Sequence, residues 1–465
     1  MKRFFKQFSA FLLILVFIVS VTACGSSSGS STSSSVAPAP TEAGQNAQQQ
    51  STQQQAAPAE KIKLSFWAGD IVGPDEQKLS QDQWYIAKAI KRFEQANPDI
   101  TVEFTVEPDS LQAHQTFKAA AMAKNGPDAA EFWSGMYLFA LKDALTVLDG
   151  KVPKEDLDNI TGWNAVRENF KPDGAILGYP NTGPSVCCFY YNKKLVKAAG
   201  LDFDSNPPRT ADDFLAALEK IKATGVIPIV SDEGNSPSMI YYVTNYWWCS
   251  VTGVDGIQAH NRGETKFADD KGLLQALKFY RTLYEKGYIN KDTLSSKDSQ
   301  NRFLQGKAAM IPDGSWAIDT YQKVLGDDVG AIIPPNMPNA TIKDKTIGGS
   351  GGCFSVANYT KYVDQAVKFL SFLDSKPELI EYMKTSSCLP LRKDIAPEEV
   401  GWDKDALHKQ FYNWSLNTIY WVGNSTNSAA MSQLIKFAPI VLVGKMKPEE
   451  LLAKMDEKFA EANKK

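Results

Sequence analysis

The pattern of hydrophobic and polar residues changes its period several times after residue 60, and each change marks a predicted element. Residues 62–66 alternate between apolar and polar side chains, which predicts a half-buried strand that ends at Trp67. Apolar residues then recur at helical spacing over residues 86–93, and Asn97-Pro98 ends this helix. Alternation returns over residues 100–106, so the sequence predicts a βαβ unit with a parallel pair of strands.

Strands and helices keep alternating to the end of the chain. Thr210 and Asp213 resemble a capping box at the start of a helix that ends at Gly225, and Pro228 makes the next strand an edge strand. The further predicted strands are 128–133, 187–191, 226–230 and 353–357. The further predicted helices are 111–124, 136–147, 272–286, 315–324, 362–373, 377–384 and 448–462. This order indicates an α/β protein.

The first 24 residues have the organisation of a secretion signal. A cationic start precedes an uncharged apolar run over residues 10–23, which is too short to span a bilayer as a helix. The small residues before Cys24 resemble a bacterial lipobox, in which the cysteine is acylated and becomes the first mature residue. We therefore predict a signal peptide over residues 1–23 and lipidation of Cys24, with an ordinary signal peptide as the alternative.

The composition of the chain changes after the signal. Residues 25–60 are rich in Ser, Gln, Ala and Pro, so we predict that 24–60 comprises the lipidated cysteine and a disordered tether. Residues 61–465 are too many for one core and predict two or three domains. The 50 basic and 53 acidic residues give a net charge of −3, which argues against a nucleic-acid partner.

Five cysteines come after Cys24 in the chain. An odd number at irregular spacing is not a disulfide framework, although one disulfide between distant cysteines stays open. Neighbouring cysteines on a strand should point to opposite faces. The sequence contains no CxxC motif and no Cys/His cluster, so we predict no metal and no cofactor. The five are Cys187, Cys188, Cys249, Cys353 and Cys388.

Five segments carry motifs that occur in a fixed order behind the lipobox. They are 64–67 (LSFW), 90–106 (IKRFEQANPDITVEFTV), 126–133 (GPD leading into FW), 190–193 (YYNK) and 303–316 (FLQGKAAMIPDGSW). Together they resemble the family 1 extracellular solute-binding proteins, the sugar-binding subunits of bacterial ABC importers. The resemblance covers essentially all of residues 61–465.

The resemblance implies an α/β fold of the type II periplasmic-binding-protein kind, with two lobes, each a sheet flanked by helices, and a ligand cleft between them. The N-terminal lobe is expected at 61–180 plus 330–390, and the C-terminal lobe at 181–329 plus 391–465. The chain should cross between lobes near residues 179–185, 329–335 and 389–394. It also implies a monomer that works without catalysis on the outer face of the cytoplasmic membrane, held by its lipid, with an ABC permease as partner.

Aromatic residues at strand ends and loops are the candidates for ligand binding, because a sugar presents apolar ring faces and a rim of hydroxyls. Trp67 and Asp70 resemble sugar-contacting positions of maltodextrin-binding relatives, and Trp316 matches a family tryptophan that stacks on sugar. Trp414 and Trp421 lie in a late region from which relatives supply a further aromatic residue. Each ring could instead pack in the core. The remaining candidates are Trp133, Trp247 and Trp248 beside Tyr246, Asp313, and the loop glycines Gly349 and Gly351.

Two other functions compete with this interpretation. The run 348–352 matches the G-x-S-x-G nucleophile elbow, and chain order allows a triad of Ser350, Asp394 and His408. The elbow, however, needs an apolar strand before the serine and a helix after it, and neither is predicted. The second rival keeps the fold, as a sensor or as a binder of glycerophosphodiesters, polyamine or iron. No arginine stands beside the candidate binding residues, which favours a neutral ligand.

Overall fold

The computed structural model describes residues 61–464 except 74–75, 108–109, 182 and 387. The predicted signal peptide, Cys24 and the tether lie outside these residues. The strands are β1 Ile62–Ala68, β2 Ile100–Val106, β3 Ala129–Trp133, β4 Tyr179–Pro180, β5 Ser185–Asn192, β6 Ile227–Ile229, β7 Ala308–Gly314, β8 Val329–Ile332, β9 Ile347–Gly349, β10 Gly352–Val356 and β11 Ile419–Tyr420.

Helices connect and cover these strands. They are α1 Tyr85–Ala96, α2 Ser110–Met122, α3 Met136–Phe139, α4 Lys154–Asn159, α5 Lys193–Ala198, α6 Ala211–Ala223, α7 Asn245–Thr252, α8 Val254–Asn261, α9 Lys271–Glu285, α10 Ser299–Leu304, α11 Ile318–Leu325, α12 Val363–Leu373, α13 Lys376–Thr385, α14 Ala406–Ser415, α15 Val422–Ser425, α16 Ser428–Leu442 and α17 Pro448–Asn463. A π-helix, Met239–Thr244, precedes α7. Within the described ranges, no helix combines the length and apolar character that a membrane span requires.

The first sheet has the strand order β2-β1-β3-β10-β4 and forms the first lobe. β1 and β2 are parallel, with Ile62 opposite Ile100, which confirms the predicted βαβ unit. Phe66 on β1 is fully buried, and its ring contacts Phe354 on β10 and Phe369 on α12 at centroid distances of 5.4 and 5.3 Å. The lobe core therefore needs both an early and a late part of the chain.

The second sheet has the strand order β11-β9-β5-β7-β6, with β8 also paired to β5, and forms the second lobe. β6 lies at the sheet edge, as its proline predicts. Cys187 and Cys188 on β5 belong to different core clusters, which confirms that they point to opposite faces. All five cysteines after Cys24 are free thiols, and all are buried except Cys388, which is partly buried. Burial raises the pKa of each thiol.

Two predicted lobe boundaries are corrected by strand pairing and packing. β8 and β9 pair with β5, so the second lobe continues to Gly349, and the boundary expected at residue 330 is wrong. The chain returns to the first sheet with β10. Leu391 packs in the first-lobe core, whereas Trp402 packs in a core cluster of the second lobe, so the last crossing comes after residue 391. The expected boundaries follow from the family resemblance. Local sequence patterns could not refine them, because strands as short as β9 have too few residues to show a recognisable alternation.

Local signals were reliable where a helix has its own cap. Thr210 and Asp213 form the predicted capping box of α6. The helix predicted over 136–147 is wrong, since α3 ends at Phe139 and a 3-10 turn follows. Leu145 instead forms a bridge to Ala357, beside the end of β10. The chain therefore pairs with the first sheet at Leu145 instead of continuing α3 as a helix.

Arg392 anchors the last crossing to the first lobe. Its guanidinium is almost fully buried and contacts Asp394 at 2.9 Å and Asp156 at 3.3 Å. It also donates to the backbone carbonyl of Asp374, whose carboxylate oxygen Oδ2 is buried without a hydrogen-bond partner among the described residues. Burial and the charge of Asp156 raise the pKa of Asp374, and Arg392 opposes this rise.

Replacing Arg392 by methionine should therefore destabilise the protein strongly. The Arg392→Met variant leaves Asp156 and Asp374 without their cation, and removing one partner of a buried ion pair costs about 3–5 kcal/mol. Urea-induced unfolding would measure this loss. As a control, Lys63→Met breaks the exposed pair with Glu103 and should leave the free energy of unfolding nearly unchanged. Equal stability of the two variants would contradict the anchoring role of Arg392.

Candidate binding cleft

The first lobe presents Trp67, Asp70 and Trp133 at one edge of its sheet. β1 and β3 are parallel, so Trp67 and Trp133 lie near the carboxyl ends of neighbouring strands, where α/β proteins bind ligands. Trp133 Nε1 donates a hydrogen bond of 3.2 Å to Asp70 Oδ2, which orients the indole. The Trp133 ring meets Tyr137 edge-on at 5.2 Å. Both tryptophans are partly buried and Asp70 is exposed.

The second lobe presents a matching aromatic group. The rings of Trp316 and Trp421 lie nearly parallel, with centroids 6.2 Å apart and an interplanar angle of 23°. Tyr242 meets Trp316 edge-on at 5.3 Å. Trp316 is 37% exposed, which is unusual for so large an apolar side chain. We call Trp133 and Tyr137 of the first lobe, together with Tyr242, Trp316 and Trp421 of the second lobe, the aromatic cleft. Burial and the nearby Tyr241 of the second lobe raise the pKa of Tyr137, so the two groups lie close together.

The turn after β7 sets the position of Trp316. A Cβ atom at Gly314 would lie 2.2 Å from the Trp316 ring, so the indole packs directly on the glycine backbone. Asp313 is committed to the same turn, because its carboxylate accepts hydrogen bonds from Gly314 N at 2.9 Å and Tyr321 Oη at 2.5 Å. Burial raises the pKa of Asp313 to about 6. Asp313 therefore positions the turn that carries Trp316, because both of its carboxylate oxygens accept hydrogen bonds within this region.

Backbone groups of the second crossing complete this side of the cleft. Gly349 has a φ of +96°, a conformation that favours glycine, and its carbonyl accepts a 2.9 Å hydrogen bond from Trp421 Nε1. A Cβ atom at Gly351 would lie 3.1 Å from the same indole nitrogen. Asn424 Nδ2 donates to the carbonyls of Ser134 and Gly351 at 3.3 and 3.2 Å. Gly349 therefore holds Trp421 through its carbonyl, and Gly351 lies directly against the same indole.

Trp247 and Trp248 are core residues, which corrects the sequence-based expectation. Both rings are fully buried in the second-lobe core. Trp247 Nε1 donates to the carbonyl of Pro335 at 3.1 Å, and Trp248 Nε1 donates to Asp270 at 2.7 Å. Trp414 packs on Phe411 at 5.2 Å and joins the opposite core cluster. A cluster of tryptophans alone could not distinguish a platform from a core.

Tyr137 and Tyr242 are the residues of the aromatic cleft that the sequence analysis missed. Tyr242 lies on the π-helix, whose wider turn places neighbouring residues differently from an α-helix. Glu233 holds its start, since Glu233 Oε1 accepts a 2.9 Å hydrogen bond from Met239 N and Oε2 accepts one of 2.5 Å from Tyr280 Oη. Burial raises the pKa of Glu233 to about 7. One signal was available in the sequence. The aromatic residues over 241–248 are too many to share one face of a helix, so some of them had to point away from the core.

The residues of the hypothetical serine triad point to different partners. Ser350 Oγ donates to the carbonyl of Gly352 at 3.4 Å. His408 Nδ1 contacts Asp405 at 3.0 Å and Nε2 contacts Asp319 at 3.4 Å, while Asp394 pairs with Arg392. This arrangement contradicts the proposed triad. In the described part of the chain, no group of three or more His, Cys, Asp or Glu residues is arranged to hold a metal ion.

Glu131 connects the loop of Asp70 to the first crossing. Its Oε2 accepts hydrogen bonds from Gly69 N at 3.0 Å and Ile71 N at 3.2 Å, and its Oε1 accepts one of 2.6 Å from Asn181 Nδ2. Burial, reinforced by the charge of Asp70, raises the pKa of Glu131 to about 8 against the effect of these hydrogen bonds. One buried carboxyl group therefore positions a cleft loop and a segment that joins the lobes.

Together, these features define a class of protein. Two α/β lobes are joined by crossing segments, and flat aromatic faces line the space between them. Such a cleft is built to enclose a solute as the lobes close around a hinge, as in the two-lobed solute-binding proteins.

Comparison with known proteins agrees with this class. The family of bacterial extracellular solute-binding proteins matches residues 88–410, and the chain belongs to this family. The maltodextrin-binding protein MdxE of Bacillus subtilis is 27% identical over 320 residues, which is 66% of this chain and 70% of that protein. The multiple sugar-binding protein of Streptococcus mutans is 25% identical over 64% of this chain and 69% of its own length. The solved structure of a chitin oligosaccharide binding protein shares the fold, with a TM-score of 0.75, 24% identity and coverage of 87% of this chain and 100% of that one.

The raised pKa of Glu131 predicts a pH effect on stability. The folded protein keeps this proton up to about pH 8, whereas the unfolded chain releases it near the ordinary value of about 4.3. The contribution of Glu131 is therefore full below the unfolded pKa and is lost as pH rises through about 8. In Glu131→Gln, the amide can take over these contacts when Asn181 presents its Oδ1, which has no hydrogen-bond partner among the described residues.

Melting temperatures between about pH 5 and about pH 9 would measure the effect. Glu131→Gln should lose less stability with rising pH than the unmodified protein does, because it has no proton to release. Glu103→Gln, a change at an exposed glutamate, should keep the original slope. Parallel curves for the unmodified protein and Glu131→Gln would contradict a raised Glu131 pKa.

Proposed function

We propose that this protein captures a sugar or oligosaccharide outside the cell and delivers it to the permease of an ABC importer. The observation that carries the proposal is the Trp316 and Trp421 pair with Tyr242, which offers apolar faces of the kind that sugar rings stack on. The exposed carboxylate of Asp70 supplies a polar partner for hydroxyl groups at the rim. Closure of the lobes would then exclude water from the bound ligand.

Two further observations support a neutral, carbohydrate ligand. The relatives named above are maltodextrin-binding and multiple sugar-binding proteins, and the solved neighbour binds chitin oligosaccharide. Among the described residues, no lysine or arginine lies over a ring of the aromatic cleft, whereas a phosphate or carboxylate ligand would favour such a cation there. We assign the protein no catalytic step, because its candidate nucleophile Ser350 has no base among the described residues and the aromatic cleft works by shape and stacking.

We propose that the protein is a monomer anchored by lipid at Cys24, on the outer face of the cytoplasmic membrane. The cationic start and apolar run of residues 1–23 act as the signal peptide, and residues 25–60 act as the tether. Anchoring keeps the loaded protein close to its permease and raises the effective concentration at which the two partners meet.

Loss of one aromatic platform should weaken binding while leaving the fold intact. Trp316→Ala removes a partly exposed ring, so we expect affinity for maltotriose or chitotriose, whichever binds, to fall about 10- to 100-fold. Isothermal titration of the full-length protein would measure this change, with melting temperature as the test of folding. Trp414→Ala, a change of the same size outside the cleft, should bind as tightly as the unmodified protein.

If Trp316→Ala binds the sugar as tightly as the unmodified protein does, Trp316 is not part of the binding site. Failure of the unmodified protein to bind any sugar, together with binding of an amine or a phosphate compound, would contradict the carbohydrate ligand.

Replacing the acylated cysteine tests the anchor separately. Cys24→Ser removes the sulfur that would carry the lipid, so the protein should no longer incorporate labelled palmitate in the cells that produce it. Autoradiography of the purified protein would measure the label, with Cys388→Ser as a control that stays labelled. Label on Cys24→Ser would contradict lipidation at this cysteine.

A further inference from the structure

A second cavity, of about 800 Å³, is lined by residues of both lobes, among them Ile419 and Tyr420 of β11. The first lobe contributes Asn169, Phe170 and Lys171 to its wall, and the second lobe contributes Arg262, Lys345 and Tyr420 among others. None of the residues that form the aromatic cleft lines it. We call it the hinge cavity. Its volume lies within the range of roughly 300–1,000 Å³ typical of small-molecule sites.

Two consecutive residues separate the hinge cavity from the aromatic cleft. The Tyr420 ring faces the cavity, where it contacts Phe170 at 5.7 Å. Its hydroxyl group lies 2.7 Å from Ser134 Oγ of the first lobe. Trp421 points the other way and stacks with Trp316. Residues 420 and 421 therefore contribute to the wall of the hinge cavity and to the wall of the aromatic cleft, respectively.

The charges that the described residues bring to the hinge cavity are all positive. Lys171, Arg262 and Lys345 line it, and no described aspartate or glutamate does. The chain as a whole has slightly more acidic than basic residues, so composition does not explain this bias. Arg262 is paired with exposed Glu264, whereas no ion pair with a described residue is formed by Lys171 or by partly buried Lys345. The nearest acid in sequence, Asp344, is turned to Arg209 and Asn336.

Backbone strain is concentrated at the same wall. Asn169 and Phe170 have φ values of +56° and +58°, and both residues line the cavity. Non-glycine residues adopt this left-handed conformation rarely and then usually singly. Such strain persists only where the surroundings enforce it, and it clusters at functional sites. Here it directs an amide and an aromatic ring at the space beside Lys171.

We propose that the hinge cavity is a second binding site, for a small organic anion with an apolar body. Lysines from both lobes would hold the anionic group, while Phe170 and the apolar wall, which includes Ile257 and Ile342, would hold the body. A ligand in this position touches both lobes. Its binding would therefore change the free energy of lobe closure and, by linkage, the affinity of the aromatic cleft.

Calorimetric titration of the full-length protein with naphthalene-2-sulfonate tests the proposal. This probe combines an anion with an apolar ring system, and naphthalene-2-sulfonamide is its neutral match. We expect one saturable site for the sulfonate, with affinity at least about tenfold higher than for the sulfonamide or for inorganic phosphate. Lys345→Gln should weaken binding about tenfold, Lys345→Arg should restore it, and Lys343→Gln, a neighbouring lysine outside the wall, should have no effect.

Hydrogen exchange with the sulfonate bound tests whether it bridges the lobes. Segments 164–171 and 342–345 should both become protected, and Trp316→Ala should leave sulfonate affinity unchanged. Absent or unsaturable binding, equal affinity for the sulfonamide, insensitivity to Lys345→Gln, protection of one lobe alone, or loss of binding in Trp316→Ala would each overturn the proposal. None of these outcomes depends on which solute the aromatic cleft takes.

Discussion

Strand β5 is the constraint on which the second lobe depends. It begins directly after the first crossing, pairs with β7, β8 and β9, and is buried on both faces. Slipping by one residue would exchange the side chains of two separate core clusters, so its register is tightly specified. With β5 in place, β7 delivers the turn that carries Trp316, and β9 delivers the Gly349 carbonyl that holds Trp421. The aromatic pair is thus a consequence of one strand's register.

The sequence predicted the elements well where a local pattern defines them and less well where distant contacts do. The βαβ unit, the α6 capping box and the edge strand with Pro228 result from spacing alone. The second lobe continues to Gly349 because β8 and β9 pair with a strand about 140 to 160 residues earlier, a contact that no local pattern encodes. Trp247 and Trp248 were misassigned for the same reason, since burial depends on what surrounds a helix. The π-helix, which turns Tyr242 to the cleft, departs from the period that sequence analysis assumes.

The two spaces between the lobes differ in chemistry although they share a wall. The aromatic cleft contains stacked rings with an acidic rim at Asp70, whereas the hinge cavity contains lysines and strained backbone. Tyr420 and Trp421 separate them, and hydrogen bonds from Tyr420 and Asn424 tie this wall to the first lobe. Movement of one lobe therefore reshapes both spaces together. Glu131 adds a second mechanical link, since it joins the loop of Asp70 to Asn181 in the first crossing.

The burial of the thiols has a practical consequence. Four of the five cysteines after Cys24 are inaccessible, the fifth is partly covered, and all five have raised pKa values, so few thiolates are available to reagents near neutral pH. A single cysteine introduced at an exposed position beside the cleft, away from the binding residues, would be the most reactive thiol of the globular part. A fluorophore attached there would sense closure of the cleft, and the protein would become a reagentless optical sensor for its own solute.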